Sequence, residues 1–230
     1  ELSSAQIGAM YTDQIRALDQ RQIAALSTDV VAALSTEQVG AWFSRQIGAL
    51  TTAQLVALGT ENVAAIATDA VRGLTDAQIV ALTTDQAAAL TTDQIRGLGT
   101  RQVSRIATDD LNALTSDQIV SFTTSQVAAL TTGQLAALST TQIAAIETED
   151  LRALKNSQVA AFSTAQMQGL TTEQVGSLTT GQMVGLLSDQ LSAFTTDQVE
   201  AFSTAQLAAL RPVQLRSFTT TQLQALQTDQ

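Results

Sequence analysis

Stepping along the chain in eights from Leu2 meets a large apolar residue at each of 29 positions, the last being Leu226. Nineteen of these anchors are Leu; the others are Met10, Trp42, three Ile and five Phe. No insertion or deletion breaks the step. Five residues beyond each anchor lies a second apolar position (Ile7, Ile15, Ile23, Val31, Val39 and onward), where only Ala87 is small. Four beyond the anchor the residue is Gln in 24 of 29 octads, and seven beyond it stands Ala, Gly or Ser everywhere except Arg105. The run "LTTDQAAALTTDQIRGL" at 82–98 shows two successive copies.

Such a period excludes two local structures. Strands need the large apolar positions at even spacing, and these lie five and three apart. A continuous helix turns through roughly 800° in eight residues, so its apolar stripe would drift by about 80° per octad and visit every face. A short helix interrupted once per octad fits. Two positions beyond the anchor stands Ser or Thr in 25 of 29 octads, with Asp76 and Asn156 in two more and Pro212 in another. Ser, Thr, Asp and Asn cap helix starts by accepting from free backbone N–H groups. The next position is often acidic (Asp13, Asp29, Glu37, Asp69, Asp85, Asp93), which suits the positive end of a helix. Each octad is therefore expected to hold about six helical residues and a corner of one or two.

One octad cannot fold alone. Burying two large side chains yields about 3–6 kcal/mol, whereas ordering eight residues costs on the order of 12 kcal/mol. Stacked octads share the burden, as in repeat proteins. The predicted fold is all-α: a solenoid superhelix of short helices, one per eight-residue repeat, of either hand. The expected core anchors include Leu50, Leu58, Ile66, Leu74, Leu82, Leu90, Leu98, Ile106, Leu114 and Phe122.

A slower beat of five octads, or 40 residues, overlies the first. Ile66, Ile106 and Ile146 share it, as do Trp42, Phe122, Phe162 and Phe202, with Leu82 the exception. Gln gives way at Val30, Ala70, Asp110 and Asp150 on the same grid. Either five octads complete a whole number of superhelical turns, or blocks of five were duplicated.

The Gln column is the most informative polar feature. Tight corners leave backbone groups that such short helices cannot satisfy, and an amide carries both donors and an acceptor. Gln54, Gln78, Gln86, Gln94, Gln102 and Gln118 are accordingly expected to hydrogen-bond from coil to coil.

Composition narrows the chemistry. The chain has no Cys and no His, which excludes disulfides, thiolate metal sites and His-based catalysis. A formal charge of −10 makes nucleic acid and anionic membranes poor partners. Apolar runs are far too short for a membrane helix, and no signal peptide opens the chain. Carboxylates are spread along helix starts rather than paired in a cleft, so neither an enzyme nor a cofactor is expected. "ETED" at 147–150 lacks the Gly and spacing of a calcium loop.

Residues 1–230 read as a single continuous octad-repeat solenoid without a linker, expected to be a segment of a longer array because it opens at Glu1 and stops mid-repeat at Gln230. Its expected partners are neighbouring repeats of a parent protein and, end to end, further copies of itself. Departures from the consensus give one candidate binding patch: Trp42 beside Phe43, with Arg101 and Arg105 near Asp109 and Asp110.

"LTTAQLVAL" at 50–58 and "LTTGQLAAL" at 130–138 resemble the Leu/Thr/Gln-rich octapeptide arrays of very large bacterial secreted or surface proteins, often called adhesins or haem-utilisation proteins. The likeness covers the whole chain. It implies a secreted or cell-surface setting and a structural spacer or stalk; a protein- or glycan-binding scaffold is the second expectation. No haem role carries over, since residues suited to hold the iron are lacking. "LTTDQIRGL" at 90–98 is also similar to the first helix of TAL-effector repeats. Those repeats are several times longer and basic, so that likeness is local.

Overall fold

The structure is a computed structural model that describes residues 2–226. Among them are 27 α-helices of four to seven residues and one 3-10 turn, Val71–Gly73, with no strand. The chain falls into two compact units, Glu1–Phe122 and Thr123–Gln230.

The octad 82–89 shows how the corner forms. Leu82 (φ −54°, ψ 140°) and Thr83 (φ −79°, ψ 156°) are extended, and Thr84–Ala89 is helical. The Thr83 hydroxyl accepts from the Gln86 N–H at 3.2 Å, and Gln86 Oε1 accepts from the Thr83 N–H at 3.2 Å. This is a capping box, which satisfies two of the donors a helix start leaves free. The cap is thus the residue directly after the anchor, one position earlier than the sequence pattern suggested. The abundant Ser or Thr two beyond the anchor opens the helix, and Pro212 stands at that same first helical position, where its missing N–H does no harm.

Within each unit, a helix packs on the one three octads further on. In the first, Ser4–Gly8 meets Thr28–Ala32, which meets Thr52–Ala57. In the second, Thr124–Ala129 meets Thr148–Ala153. Side-chain bonds between turns span from 25 residues (Ser44 Oγ to the Asp69 carbonyl) to 31 (Gln78 Nε2 to the Ile47 carbonyl). One superhelical turn in each unit therefore takes between three and four octads. Five octads do not make a whole number of such turns, so the 40-residue beat belongs to the sequence and not to the turn of either unit.

The core lies inside these turns. Second-site residues such as Ile23, Leu55, Ile143 and Leu151 are completely buried. The anchors Leu50, Leu58, Ile66, Leu74, Leu82, Leu90, Leu98, Ile106, Leu114 and Phe122 are all between 2% and 6% exposed. In the second unit Phe202 meets Phe194 edge-on at 5.2 Å and Phe218 edge-on at 6.1 Å, so anchors from different octads converge.

The small residue seven beyond the anchor has a steric reason. A Cβ on Gly73 would run into the backbone of Ser44, one turn earlier. Gly59 has a different role: its φ of +72° lies in the left-handed region and reshapes the corner of the octad where Asn62 replaces Gln.

Trp42 is 2% exposed, and its Nε1 donor is buried without a hydrogen-bond partner. Phe fills the equivalent anchor elsewhere without such a donor. Trp42→Phe is expected to leave stability within about 1 kcal/mol of the wild type, because relief of the unsatisfied N–H offsets the lost volume. Denaturant midpoints check this against Trp42→Ala, expected to cost about 3–5 kcal/mol.

Candidate functional site

Past the first turn of octads, a glutamine of the column serves two helices, as Gln38 does. Its Oε1 accepts from its own cap residue, as Gln54 does from the Thr51 N–H at 2.7 Å. Its Nε2 crosses to the helix end one turn earlier, where the last carbonyls lack intrahelical donors. Gln54 donates to the carbonyls of Ile23 (3.0 Å) and Leu26 (2.7 Å). Gln78 reaches Ile47 and Leu50, both at 2.8 Å. Gln86 reaches Leu55 at 2.9 Å, and Gln94 reaches Val63 and Ile66 at 2.9 and 2.7 Å. Gln102 donates to Val71 and Leu74 at 3.0 and 2.7 Å, and Gln118 to Ala88 and Leu90 at 3.0 and 2.6 Å. All six side chains are buried. The second unit repeats the arrangement, with Gln174 on Ile143 and Ile146.

The amide therefore closes the start of one helix and the end of another in the neighbouring turn. Side-chain length matters here. Asn62, one methylene shorter, donates from Nδ2 to the Leu34 carbonyl at 2.9 Å, and its helix start has no side-chain cap. The inter-turn half of this role followed from the demand of unsatisfied corners. The capping half was missed, although Ser or Thr three residues before Gln is its known signal.

At Asp110 the column carries a buried carboxylate that accepts from the Thr84 hydroxyl at 3.0 Å. Desolvation pushes its pKa up; the Thr84 bond opposes that, and neighbouring Asp109 adds to it. Because the folded-state pKa is raised, the stability Asp110 contributes is full below the ordinary aspartate range of about 3.9 and is lost as pH rises through the folded value. Asp110→Asn, which keeps an acceptor for Thr84, is expected to stabilise the protein by on the order of 1 kcal/mol at pH 7 and by almost nothing near pH 3. Denaturant titrations at the two pH values check it; an equal gain at both would disprove the origin in ionisation.

The candidate binding patch does not form one surface. Trp42 lies in the core, while Phe43, at the cap position, is 42% exposed. The guanidiniums of Arg16 and Arg45 lie over its ring at 5.3 and 5.1 Å. Arg101 and Arg105 do not pair with Asp109 or Asp110 but with Asp76, at 2.8 and 3.4 Å. The Arg101 hydrogen bond holds the Asp76 carboxyl below its usual range. The two arginines are largely solvated and Asp76 is half-buried, which leaves such pairs little weight in stability. At "ETED", Asp150 is buried in the glutamine column and Glu147 is the cap residue of its helix. Among the described residues no three acidic side chains stand together as metal ligands would, and no helix is long and apolar enough to cross a membrane.

Short helices stacked turn on turn by one recurrent side chain define an α-solenoid repeat protein. The ALTTAQ repeat model matches residues 1–28, 15–52, 31–60, 56–92, 103–140, 143–180 and 200–230, and the chain belongs to that repeat family. No curated protein matches the chain.

Proposed function

We propose that this chain is a non-catalytic spacer: a continuous stretch of stalk in a large secreted or cell-surface bacterial protein, holding other parts of that protein at a set distance. The observation that carries the reading is the recurrence of one bonding unit in both structural units, with Gln54 and Gln174 making the same pair of inter-turn bonds. An interface that repeats identically lets octad number set extent without changing local geometry, as in other quasi-one-dimensional repeats. The acidic, Cys-free composition suits an extracellular setting and disfavours nucleic acid.

The test is twofold. Variants with three or four further octads inserted within residues 164–203 should gain maximum dimension in solution scattering in proportion to the insertion and melt no lower than the parent. Antibodies against the chain should label intact, unpermeabilised cells of the producing organism. Lack of proportionality would end the spacer reading, and labelling confined to lysed cells would end the surface location. A protein- or glycan-binding scaffold is the second reading, favoured by Phe43 exposed between two arginines. It predicts a ligand on a glycan or protein array whose binding is abolished by Phe43→Ala.

A further inference from the structure

We infer that Phe43, with Arg16 and Arg45, forms a binding site for the carboxylate of an acidic sugar, a uronate unit of a polysaccharide. The inference rests on the binding reading above, to which it gives a ligand class, and it lies wholly within the first unit.

The site starts from a costly choice in the sequence. Phe43 stands at a cap position, where Ser or Thr would accept from a helix N–H. The helix Ser44–Ile47 accordingly has no side-chain cap hydrogen bond, although Gln46 Oε1 still accepts from the Phe43 N–H at 3.0 Å. Nor does the ring fill the core, since Phe43 is 42% exposed. It serves neither the cap nor the interior.

What the ring does is gather positive charge. The guanidinium carbons of Arg16 and Arg45 lie 5.3 and 5.1 Å from its centroid, held by the negative face of the aromatic ring. Arg16 is fixed further by its Nε, which donates to the Ala41 carbonyl at 3.0 Å. Arg21 adds a third charge nearby: its helix, Gln20–Ala24, packs on Ser44–Ile47, and Gln20 Nε2 donates to the Arg45 carbonyl at 3.0 Å. Among the described residues no carboxylate pairs with Arg16 or Arg45. Asp19, at the start of the Arg21 helix, instead accepts from the backbone N–H groups of Arg21 and Gln22, both at 2.8 Å. Two like charges beside one ring repel, and an anion between them relieves that repulsion. An exposed guanidinium fork bonds a carboxylate through two parallel N–H groups.

The exposed part of the ring selects among anions. A pyranose presents an apolar C–H face, which an aromatic ring attracts, and a uronate carries its carboxylate on the same unit. A peptide anion would bring backbone groups that need partners, and the described residues of this unit offer no strand edge to pair them. Phosphate polymers meet the −10 charge of the whole chain. Screening over about 8 Å lets a short uronate sense chiefly the three arginines.

Calorimetric titration of the full chain with trigalacturonate, with its methyl ester and with triglutamate provides the test. At low salt the acid sugar should bind with Kd below about 1 mM, at least about tenfold tighter than the ester or the peptide, and more weakly as salt rises. Phe43→Thr restores the usual cap hydroxyl, so it should melt no lower than the wild type yet bind at least about tenfold more weakly. Arg45→Gln should weaken binding as much, and Arg45→Lys, which keeps the charge but loses the fork, should fall between. Equal binding of the ester, still dependent on Phe43, would overturn the carboxylate and spare the binding reading. Preference for triglutamate would overturn the sugar. Binding unchanged in Phe43→Thr, or none by the acid sugar at about 10 mM, would overturn the inference outright, and the array would then decide whether the binding reading falls with it.

Discussion

Replacing Gln166, Gln174 and Gln182 together by Glu is expected to lower the melting temperature by at least about 20 °C, the largest effect among polar substitutions in this protein. These amides donate to Leu135 and Leu138 (2.8 and 2.6 Å), Ile143 and Ile146 (2.9 and 2.7 Å), and Leu151 and Leu154 (2.8 and 2.9 Å). Glu keeps the Oε1 acceptor, so each helix start stays capped. What is lost is the donor, and a buried carboxylate now faces carbonyl oxygens. Losing a buried partner costs about 1–3 kcal/mol per site and more where a charge is left behind. Three sites together approach the whole stability of a typical domain, about 5–15 kcal/mol. The sign with pH is fixed. Burial raises the folded pKa of each new carboxyl, so the variant should be most stable in acid, where the protonated group can donate again, and should lose that stability as pH rises. Gln168→Glu, with the same charge change on an exposed side chain, is the control and should barely shift the midpoint. A triple variant melting within about 5 °C of wild type would show that the glutamine bonds contribute little.

The period of eight was legible because it is written in side-chain size. Leu, Ile, Val and Phe at anchor and second site report burial directly, and they led to the short-helix solenoid without help from coordinates. The helix start was read one residue late because Ser and Thr occupy both positions after the anchor, as in Thr83 and Thr84, and composition alone does not say which hydroxyl turns back on the helix. The interrupted octads carry the missing signal. Where Gln is replaced at Ala70, Asp110 and Asp150, the residue three before it is Ala67, Ala107 and Glu147, none of them Ser or Thr. The helices Thr108–Ala113 and Thr148–Ala153 accordingly have no side-chain cap hydrogen bond. Both halves of the box are absent at these three octads, but either half also occurs alone: Ser27 caps the Val30 N–H without a glutamine, and Gln46, Gln102 and Gln190 accept from Phe43, Gly99 and Leu187, which carry no hydroxyl. The turn size was illegible for a different reason. It depends on the angle at each corner, and a rotation of a few degrees per octad accumulates without altering which residues are apolar. The candidate patch divides because adjacency in sequence says nothing about direction: Trp42 is an anchor and turns in, whereas Phe43 is a cap residue and turns out.

The same distinction sets the second large effect. Phe202→Ala is expected to destabilise the protein by about 3–5 kcal/mol, the range for removing a buried aromatic ring and leaving a cavity. Phe202 is 2% exposed and touches Phe194 and Phe218 edge-on, interplanar angles being 86° in both pairs. Each such pair adds about 0.5–1.5 kcal/mol beyond the burial of area. Those partners come from the preceding octad and from two octads later, so the truncation loosens three corners at once. Phe202→Leu separates packing volume from aromatic geometry. Leu fills the same position at Leu210 and most other anchors, so the octad accepts it, and only ring contacts and residual volume are lost. The expected cost is below about 1.5 kcal/mol. Urea midpoints, with an unchanged slope, measure both. If Phe202→Leu costs as much as Phe202→Ala, the anchors are not interchangeable, and the five-octad placing of Trp42, Phe122, Phe162 and Phe202 reflects a requirement for rings at those corners rather than the duplication of a block.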